Sequence, residues 1–240
     1  MPILVLSDIH ANLTAFEAVL EDAGQVDAVW CLGDLVGYGP DHNECVALAR
    51  SLPNFVCILG NHDAAVTGHI PLDSFNLEAQ RSVLWMRDCI SMENLQFLTD
   101  LKECQIESEV TLAHGSPRNP IWEYILDAQV ARGNFGYFDT QLCFVGHTHI
   151  PLLFSLNEAN LVWSILRSDD YVEINGRTIA NPGSVGQPRD RDARASFALF
   201  DPENMTWQSR RVAYDVDAVK ERIKEVELPG RNAKRLSGGW

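Results

Sequence analysis

The chain has 240 residues, of which 46% are hydrophobic and 22% charged, and its 33 acidic residues outnumber 19 basic ones to leave a formal net charge of -14. That length supports a full hydrophobic core, the ordinary composition excludes low-complexity and repeat architectures, and the acidic balance disfavours duplex nucleic acid by leaving no basic stripe to neutralise a phosphate backbone. Six cysteines without a C-x-x-C pair read as reduced core residues, no apolar run approaches ~18 residues, and the chain opens on a strand without signal-peptide flanks. A cytoplasmic protein with no membrane partner is expected.

In chain order, residues 3–6 form an apolar strand that ends before Asp8 and His10, and Asn12 caps a helix carrying Leu13, Phe16, Val19 and Leu20 at helical spacing until Gly24. Residues 28–32 form a second strand, followed by a glycine-rich turn from Gly33 and Asp34 to Pro40 and a helix from about Asp41, with Asp41 and Glu44 spaced as a capping box. Residues 55–59 lead into Gly60, Asn61, His62 and Asp63. Residues 73–103 carry two helical patterns and predict a helical insert. Two further strands, 110–113 and 142–145, stop before His114 and before His147 and His149. Beyond residue 149 the texture changes to short alternating strands at 152–154, 161–165, 171–174, 178–180, 196–200 and 206–212, which predict an antiparallel sheet. A helix over 216–226 closes residues 1–228 as one domain, and 229–240 reads as a mobile tail.

Five strands thus end in residues of metal-ligand type, and buried α/β strands gather ligands outside their carboxyl ends, so one edge of one sheet is expected to hold all of these side chains. On an extended segment Asp8 and His10, two apart, point to one side and can chelate one ion; a surface turn explains the pair equally. Asp34 can bridge two cations with its two oxygens or serve simply as a turn residue. Asn61, His62 and Asp63 bring an amide, an imidazole and a carboxylate to one strand end, where turn chemistry accounts for the asparagine but not for His62. His114 also suits a core position, and His147 and His149 a solvated turn. Five of the seven histidines lie at these endings, leaving only His42 and His69 elsewhere. The joint pattern points to a metal site.

These residues resemble the calcineurin-like metallophosphoesterases, whose motif series D-x-H, G-D, G-N-H-[D/E], H and G-H-x-H is present in order across residues 8–149. The stretch from Asn181 to Asp190 is similar to one in the small bacterial and archaeal phosphodiesterase branch. The resemblance implies an α/β fold, a four-layer α-β-β-α sandwich of two mixed sheets flanked by helices, with the metal site at strand carboxyl ends. It implies further that Asp8, His10 and His149 hold one metal, that Asn61, His114 and His147 hold the other, and that Asp34 bridges them. His62 then supplies a proton to the leaving group or, alternatively, positions the phosphate. Mixed carboxylate, imidazole and amide donors suit transition metals better than Ca²⁺ or Mg²⁺, so two divalent ions are expected, Mn first, with Fe, Zn or Ni as alternatives. The implied activity is hydrolysis of phosphodiesters or small nucleotides by metal-activated water attack. A small phosphoester or nucleotide is therefore the expected partner, bound metal inverting the local field of an acidic site.

One departure narrows the substrate. Phosphoprotein phosphatases of the family carry G-D-x-x-D-R-G, whereas this chain runs from Gly33 and Asp34 to Gly37, Tyr38 and Gly39 without the acidic residue and the arginine. A protein phosphatase is demoted; Arg118, Arg189 and Arg191 are candidates for substrate contact, a solvated surface arginine being the plainer reading of each. Tyr38 is read either as a stacking ring or as a cover for its turn. The alternatives are a dinucleoside polyphosphate hydrolase, a phosphomonoesterase, or a non-catalytic protein-binding scaffold such as the retromer subunit that resembles this fold. Association into a homo-oligomer is left open.

Overall fold

The first strand has no polar face, and this sets the architecture. In the computed structural model, which describes residues 1–240, β1 (Ile3–Leu6) turns Ile3 and Val5 to one side and Leu4 and Leu6 to the other, and all four are buried. A strand covered on both faces belongs inside a layered α/β structure. It pairs in parallel with β2 (Ala28–Cys31), which pairs in parallel with β3 (Phe55–Cys57). Parallel neighbours need long crossovers, and α1 (Leu13–Ala23) and α2 (His42–Ser51) supply them, packing Phe16, Val19, Val46 and Ala49 into the cluster that contains Leu4 and Leu6. The expected helical insert follows as α3 (Asn61–Val66), a 3-10 turn at Leu72–Ser74, α4 (Leu77–Cys89) and α5 (Met92–Thr99).

The chain continues through β4 (Cys104–Glu107), β5 (Val110–Ala113), α6 (Ala128–Asn134), β6 (Leu142–Phe144), β7 (Pro151–Asn157), β8 (Asn160–Ile165), β9 (Tyr171–Glu173), β10 (Arg177–Pro182), β11 (Ala195–Asp201), β12 (Thr206–Val212), α7 (Val216–Glu225) and α8 (Gly230–Gly238). Two six-stranded sheets result, ordered β3-β2-β1-β11-β12-β9 and β4-β5-β6-β10-β7-β8. The late strands therefore do not form an antiparallel sheet of their own. β11 docks antiparallel on β1 and β10 docks parallel on β6, covering what would otherwise be open edges, so the late strands are shared out and both sheets become mixed.

Between the sheets lie Ile3, Val5, Trp30, Phe144, Phe200 and Trp207, with Phe144 4.9 Å from the Trp207 ring and 5.1 Å from Phe200. Each such side chain contributes about 1.5–3 kcal/mol on burial, so this aromatic seam holds the sheets face to face. The outer face of the second sheet buries Cys143, Phe154 and Ile179 beneath Ala131 of α6 and the adjoining Phe135 and Phe138. The result is the four-layer α-β-β-α sandwich. No helix is long and apolar enough to cross a membrane.

Two local expectations are corrected. Asp41 begins α2 but makes no capping bond; its carboxylate instead accepts from the Leu13 N–H at 3.2 Å and from Arg222 at 2.8 and 2.9 Å, tying α7 to α1 and α2. A guanidinium fork offers this carboxylate more than a single capping N–H. Residues 229–240 carry a helix where a tail was expected: Asn232, Ala233 and Leu236 of α8 are buried, and Asn232 Nδ2 donates to the Tyr38 carbonyl at 2.9 Å. The paired glycines mark the end of that helix, Gly239 adopting φ 62 as its cap.

Leu236, 4% exposed, packs with Val219, Ile223 and Leu228. Leu236→Ala is expected to cost about 2–4 kcal/mol, read from urea denaturation; an unchanged midpoint would show α8 to be undocked in solution.

Candidate metal centre

The carboxyl ends of β1, β2 and β3 in one sheet and of β5 and β6 in the other open onto the same rim. Asp8, His10, Asp34, Asn61, His62, His114, His147 and His149 meet there, none more than 4% exposed. The expectation of one sheet edge is thus corrected: the first sheet supplies five of these side chains and the second supplies the last three, because the stacked sheets present their carboxyl ends side by side. The expectation of an extended segment fails as well. Asp8, His10, Asp34, His147 and His149 all have left-handed backbones, with φ between 50 and 64. Sharp turns, not strand alternation, aim these side chains.

The geometry centres on two sets of converging atoms, with a His62 ring nitrogen also within 4.8 Å of His10 and Asp34. In the first, Asp8 Oδ1 lies 3.3 Å from His149 Nε2, and His149 Nε2 lies 3.2 Å from His10 Nε2. In the second, His114 Nε2 lies 3.0 Å from Asn61 Oδ1 and 3.1 Å from His147 Nδ1. Asp34 Oδ2 belongs to both, 3.7 Å from His10 Nε2 and 3.4 Å from His114 Nε2. Its other oxygen, Oδ1, accepts the His62 backbone N–H at 2.8 Å. A single carboxylate oxygen, not two, is therefore what the two sets share.

Whether these residues fit metal ions is decided by their protons. A carbonyl only accepts, so His10 Nδ1 must donate to Val36 O at 3.1 Å, His114 Nδ1 to Leu32 O at 2.7 Å, and His149 Nδ1 to Gln187 O at 2.5 Å. In the neutral rings Nε2 then carries only a lone pair. His10 and His149 consequently direct two lone pairs at each other, and Asp8 Oδ1 beside them is buried with no hydrogen-bond donor. Acceptors gathered in this way call for a cation, and the residues fit one in each set.

The charges agree. Burial pushes the Asp8 carboxyl up to about 7, and burial holds the His10, His147 and His149 rings well below the ordinary histidine value. Against the same cost of burial, His114 and His62 hold Asp34 well below the usual carboxylate range, while Asp34 in turn raises His114 to about 10. A proton on His114 stands where a cation would otherwise balance Asp34.

Bracing comes from residues outside the expected ligand set, and from the backbone of the ligand turns. Asp63 accepts three backbone N–H groups, from Asp34 at 2.8 Å and from Val36 and Gly60 at 3.1 Å, and so fixes the turn that presents Asp34. Burial and the Asp34 charge raise Asp63 to about 7 even so. Asp8 Oδ2 accepts the His147 N–H at 3.1 Å, and Asn181 Nδ2 donates to the Gly146 carbonyl at 2.7 Å. Ser184 Oγ donates to the Asp8 carbonyl at 2.9 Å. The motif-like stretch after Asn181 thus straps the first and last ligand turns together. Gly37, at φ 105, leaves room for His62: a Cβ there would lie 2.5 Å from His62 Nδ1.

A cleft of about 90 Å³ opens onto the centre, rimmed by Phe75, Trp122, Tyr124 and Arg189. Tyr124 stacks on His147 with ring centroids 3.9 Å apart, and Phe75 and Trp122 are 5.1 Å apart. Tyr38 lines the cleft too, packed 4.4 Å from His62 and 4.8 Å from His10. Of the candidate arginines only Arg189 lines this cleft. Arg118 is paired with Glu123, which Arg118, Ser116 and Asn134 hold down to about 2 against the cost of burial. The aromatic rim lies in loops without periodicity; the clustering of Trp122 and Tyr124 after Pro120 was its only signal in the sequence.

Comparison with known proteins gives four findings. A family model for the calcineurin-like phosphoesterase superfamily domain matches residues 1–205. The chain is 41% identical to an uncharacterized protein of Methanocaldococcus jannaschii, over 98% of this chain and 96% of that one. The crystal structure of a metallophosphoesterase from Sphaerobacter thermophilus superposes with a TM-score of 0.92 at 46% identity, covering 100% of this chain and 99% of that chain. A more local match, 29% identical over 127 residues, is to a symmetrical bis(5'-nucleosyl)-tetraphosphatase of Pectobacterium atrosepticum, covering 46% of this chain and 44% of that protein.

Removing the Asp63 carboxylate leaves three backbone donors without an acceptor, and a buried donor left unpaired costs about 1–3 kcal/mol. Asp63→Ala is therefore expected to lower both the denaturation midpoint and the bound metal per chain. Wild-type values for both would show that Asp34 is held by other contacts.

Proposed function

The chain belongs to the calcineurin-like phosphoesterase superfamily, and on that footing we propose that this phosphoric ester hydrolase holds two divalent ions, one per set of converging atoms, and cleaves phosphodiesters, small nucleotide esters among them. The observation that carries this reading is the single oxygen, Asp34 Oδ2, facing both sets. Asp8, His10 and His149 would hold one ion and Asn61, His114 and His147 the other, with Asp34 shared between them. The mixed carboxylate, imidazole and amide donors favour first-row transition ions such as Mn, Fe, Zn or Ni over Ca²⁺ and Mg²⁺. When bound, the ions supply Lewis acidity and neutralise phosphoryl charge.

The chain's own groups do the rest. His62 is buried, which holds its ring down to about 4; its Nδ1 is packed against Gly37 without a partner, the ring lines the cleft, and Nε2 is the nitrogen assigned to the substrate. A phosphoryl anion seated beside it raises its proton affinity, so Nε2 can hold the proton that the departing oxygen takes. The diester preference follows from the rim. Phe75, Trp122 and Tyr124 offer aromatic surface for a second ester substituent, whereas one arginine, Arg189, is the only added cation in the cleft, and a monoester dianion asks for more. A second reading, hydrolysis of dinucleoside polyphosphates, is favoured by the local similarity to the symmetrical tetraphosphatase.

Metal analysis of the purified chain is expected to give two ions, and Mn²⁺-loaded protein to show a higher kcat/KM for bis-(4-nitrophenyl) phosphate than for 4-nitrophenyl phosphate. A clear monoester preference rules out the diesterase reading and leaves the metal site standing. His62→Ala should cost ~10²- to 10⁴-fold on an alkyl or nucleoside ester and much less on a nitrophenyl ester, whose leaving group needs no proton. Equal losses on both would make His62 a phosphate-positioning residue.

A further inference from the structure

A groove of about 570 Å³ adjoins the metal cleft, and five of the chain's fifteen arginines line it: Arg167, Arg189, Arg191, Arg194 and Arg211. Only two acidic side chains share it, Asp190 and Asp192. Both are already engaged, Asp190 by Arg211 and Asp192 by Arg194 at 2.6 Å and Arg211 at 3.8 Å. Arg167, Arg189 and Arg191 make no ion pair. Arg189 lines the groove and the metal cleft alike, and its Nε is buried with no acceptor, Nη2 donating only to Gln187 Oε1 at 3.2 Å. On a chain of net charge -14, uncompensated cations gathered in one hollow focus a local positive field.

We infer that this groove receives a second phosphate group of the substrate, bonded beyond the one cleaved at the metal centre, with Arg189 at the junction and Arg167 and Arg191 as its outer contacts. The inference rests on the phosphoesterase reading and narrows it to substrates bearing at least two phosphates. Guanidinium groups match phosphate oxygens with paired N–H donors, and their weak hydration makes them better partners than lysine. Two sources share this chemistry: the remaining phosphates of a polyphosphate ester and the terminal phosphate of a short oligonucleotide.

The test compares wild type with Arg167→Ala, Arg191→Ala and the double variant on three substrates: bis-(4-nitrophenyl) phosphate, a 5'-phosphorylated dinucleotide and diadenosine tetraphosphate. A charge-assisted contact is worth about tenfold. The expected result is that kcat/KM on the two-phosphate substrates falls about tenfold more per arginine than on bis-(4-nitrophenyl) phosphate, chiefly through KM, with Arg191→Lys recovering part of the loss. A selective fall on diadenosine tetraphosphate alone identifies the polyphosphate source, and one on the dinucleotide alone the oligonucleotide source. Parallel changes on all three overturn the proposal. If none of the three is turned over, the substrate reading fails by itself, and calorimetric binding of inorganic tripolyphosphate to the metal-free protein decides the groove: weaker binding by the double variant supports it, equal binding rejects it.

Discussion

A neutral imidazole whose Nδ1–H is committed to a carbonyl has only a lone pair left at Nε2, and His10 and His149 are committed in this way with Nε2 turned inward. Add two buried carboxylates and an amide oxygen, and the centre becomes a collection of acceptors that repel one another. Such a collection stays assembled only where the backbone cannot relax. The five left-handed residues show what that rigidity costs, about 1–2 kcal/mol each. Opposing this are hydrogen bonds that reach from one ligand turn to the next: His147 N–H to Asp8, His62 N–H to Asp34, and three N–H groups to Asp63. Behind them, the sheets are clamped by Trp30, Phe144 and Trp207, so strain at the rim meets a close-packed core.

This division explains which parts of the molecule were legible. Strand endings could be read because a buried strand is a run of apolar residues and a metal ligand is a conspicuous way to end one, as at Val5-Leu6 before Asp8. The assignment of strands to sheets could not, since β10 and β11 carry the same kind of pattern yet join different sheets, a choice made by which edge remains open. The left-handed turns were hidden too, because aspartate and histidine do not announce positive φ as glycine does. Residues 230–238 carry a single leucine and two glycines, a composition that resembles a linker, yet Leu236 and Asn232 bury one face. Asp41 read as a cap because nothing local reveals that Arg222, 181 residues away, will claim it.

Net charge is a coarse guide in a comparable way. A value of -14 describes the whole surface, whereas a ligand samples the field of a few residues within a Debye length of about 8–10 Å. Arg167 and Arg211 come from segments far from Arg189, Arg191 and Arg194, and folding alone gathers them into one hollow. The sequence conceals such a groove because its members are diluted among acidic neighbours.

The converging Asp, Asn and His side chains and the aromatic rim also differ in how they are held. The ligand atoms are fixed by buried backbone bonds that any chain with these motifs needs, whereas Phe75, Trp122 and Tyr124 sit in loops whose sequence the motifs do not constrain. One motif set can accordingly stand beneath many different rims. The two parts are not independent here. Tyr124 is stacked directly on His147, and Arg189 N–H donates to the His149 carbonyl at 3.3 Å, so each set of converging atoms has one member in contact with the rim. A displacement of Tyr124 or of the Arg189 backbone would therefore be felt at His147 or His149 directly, through one ring stack and one backbone bond.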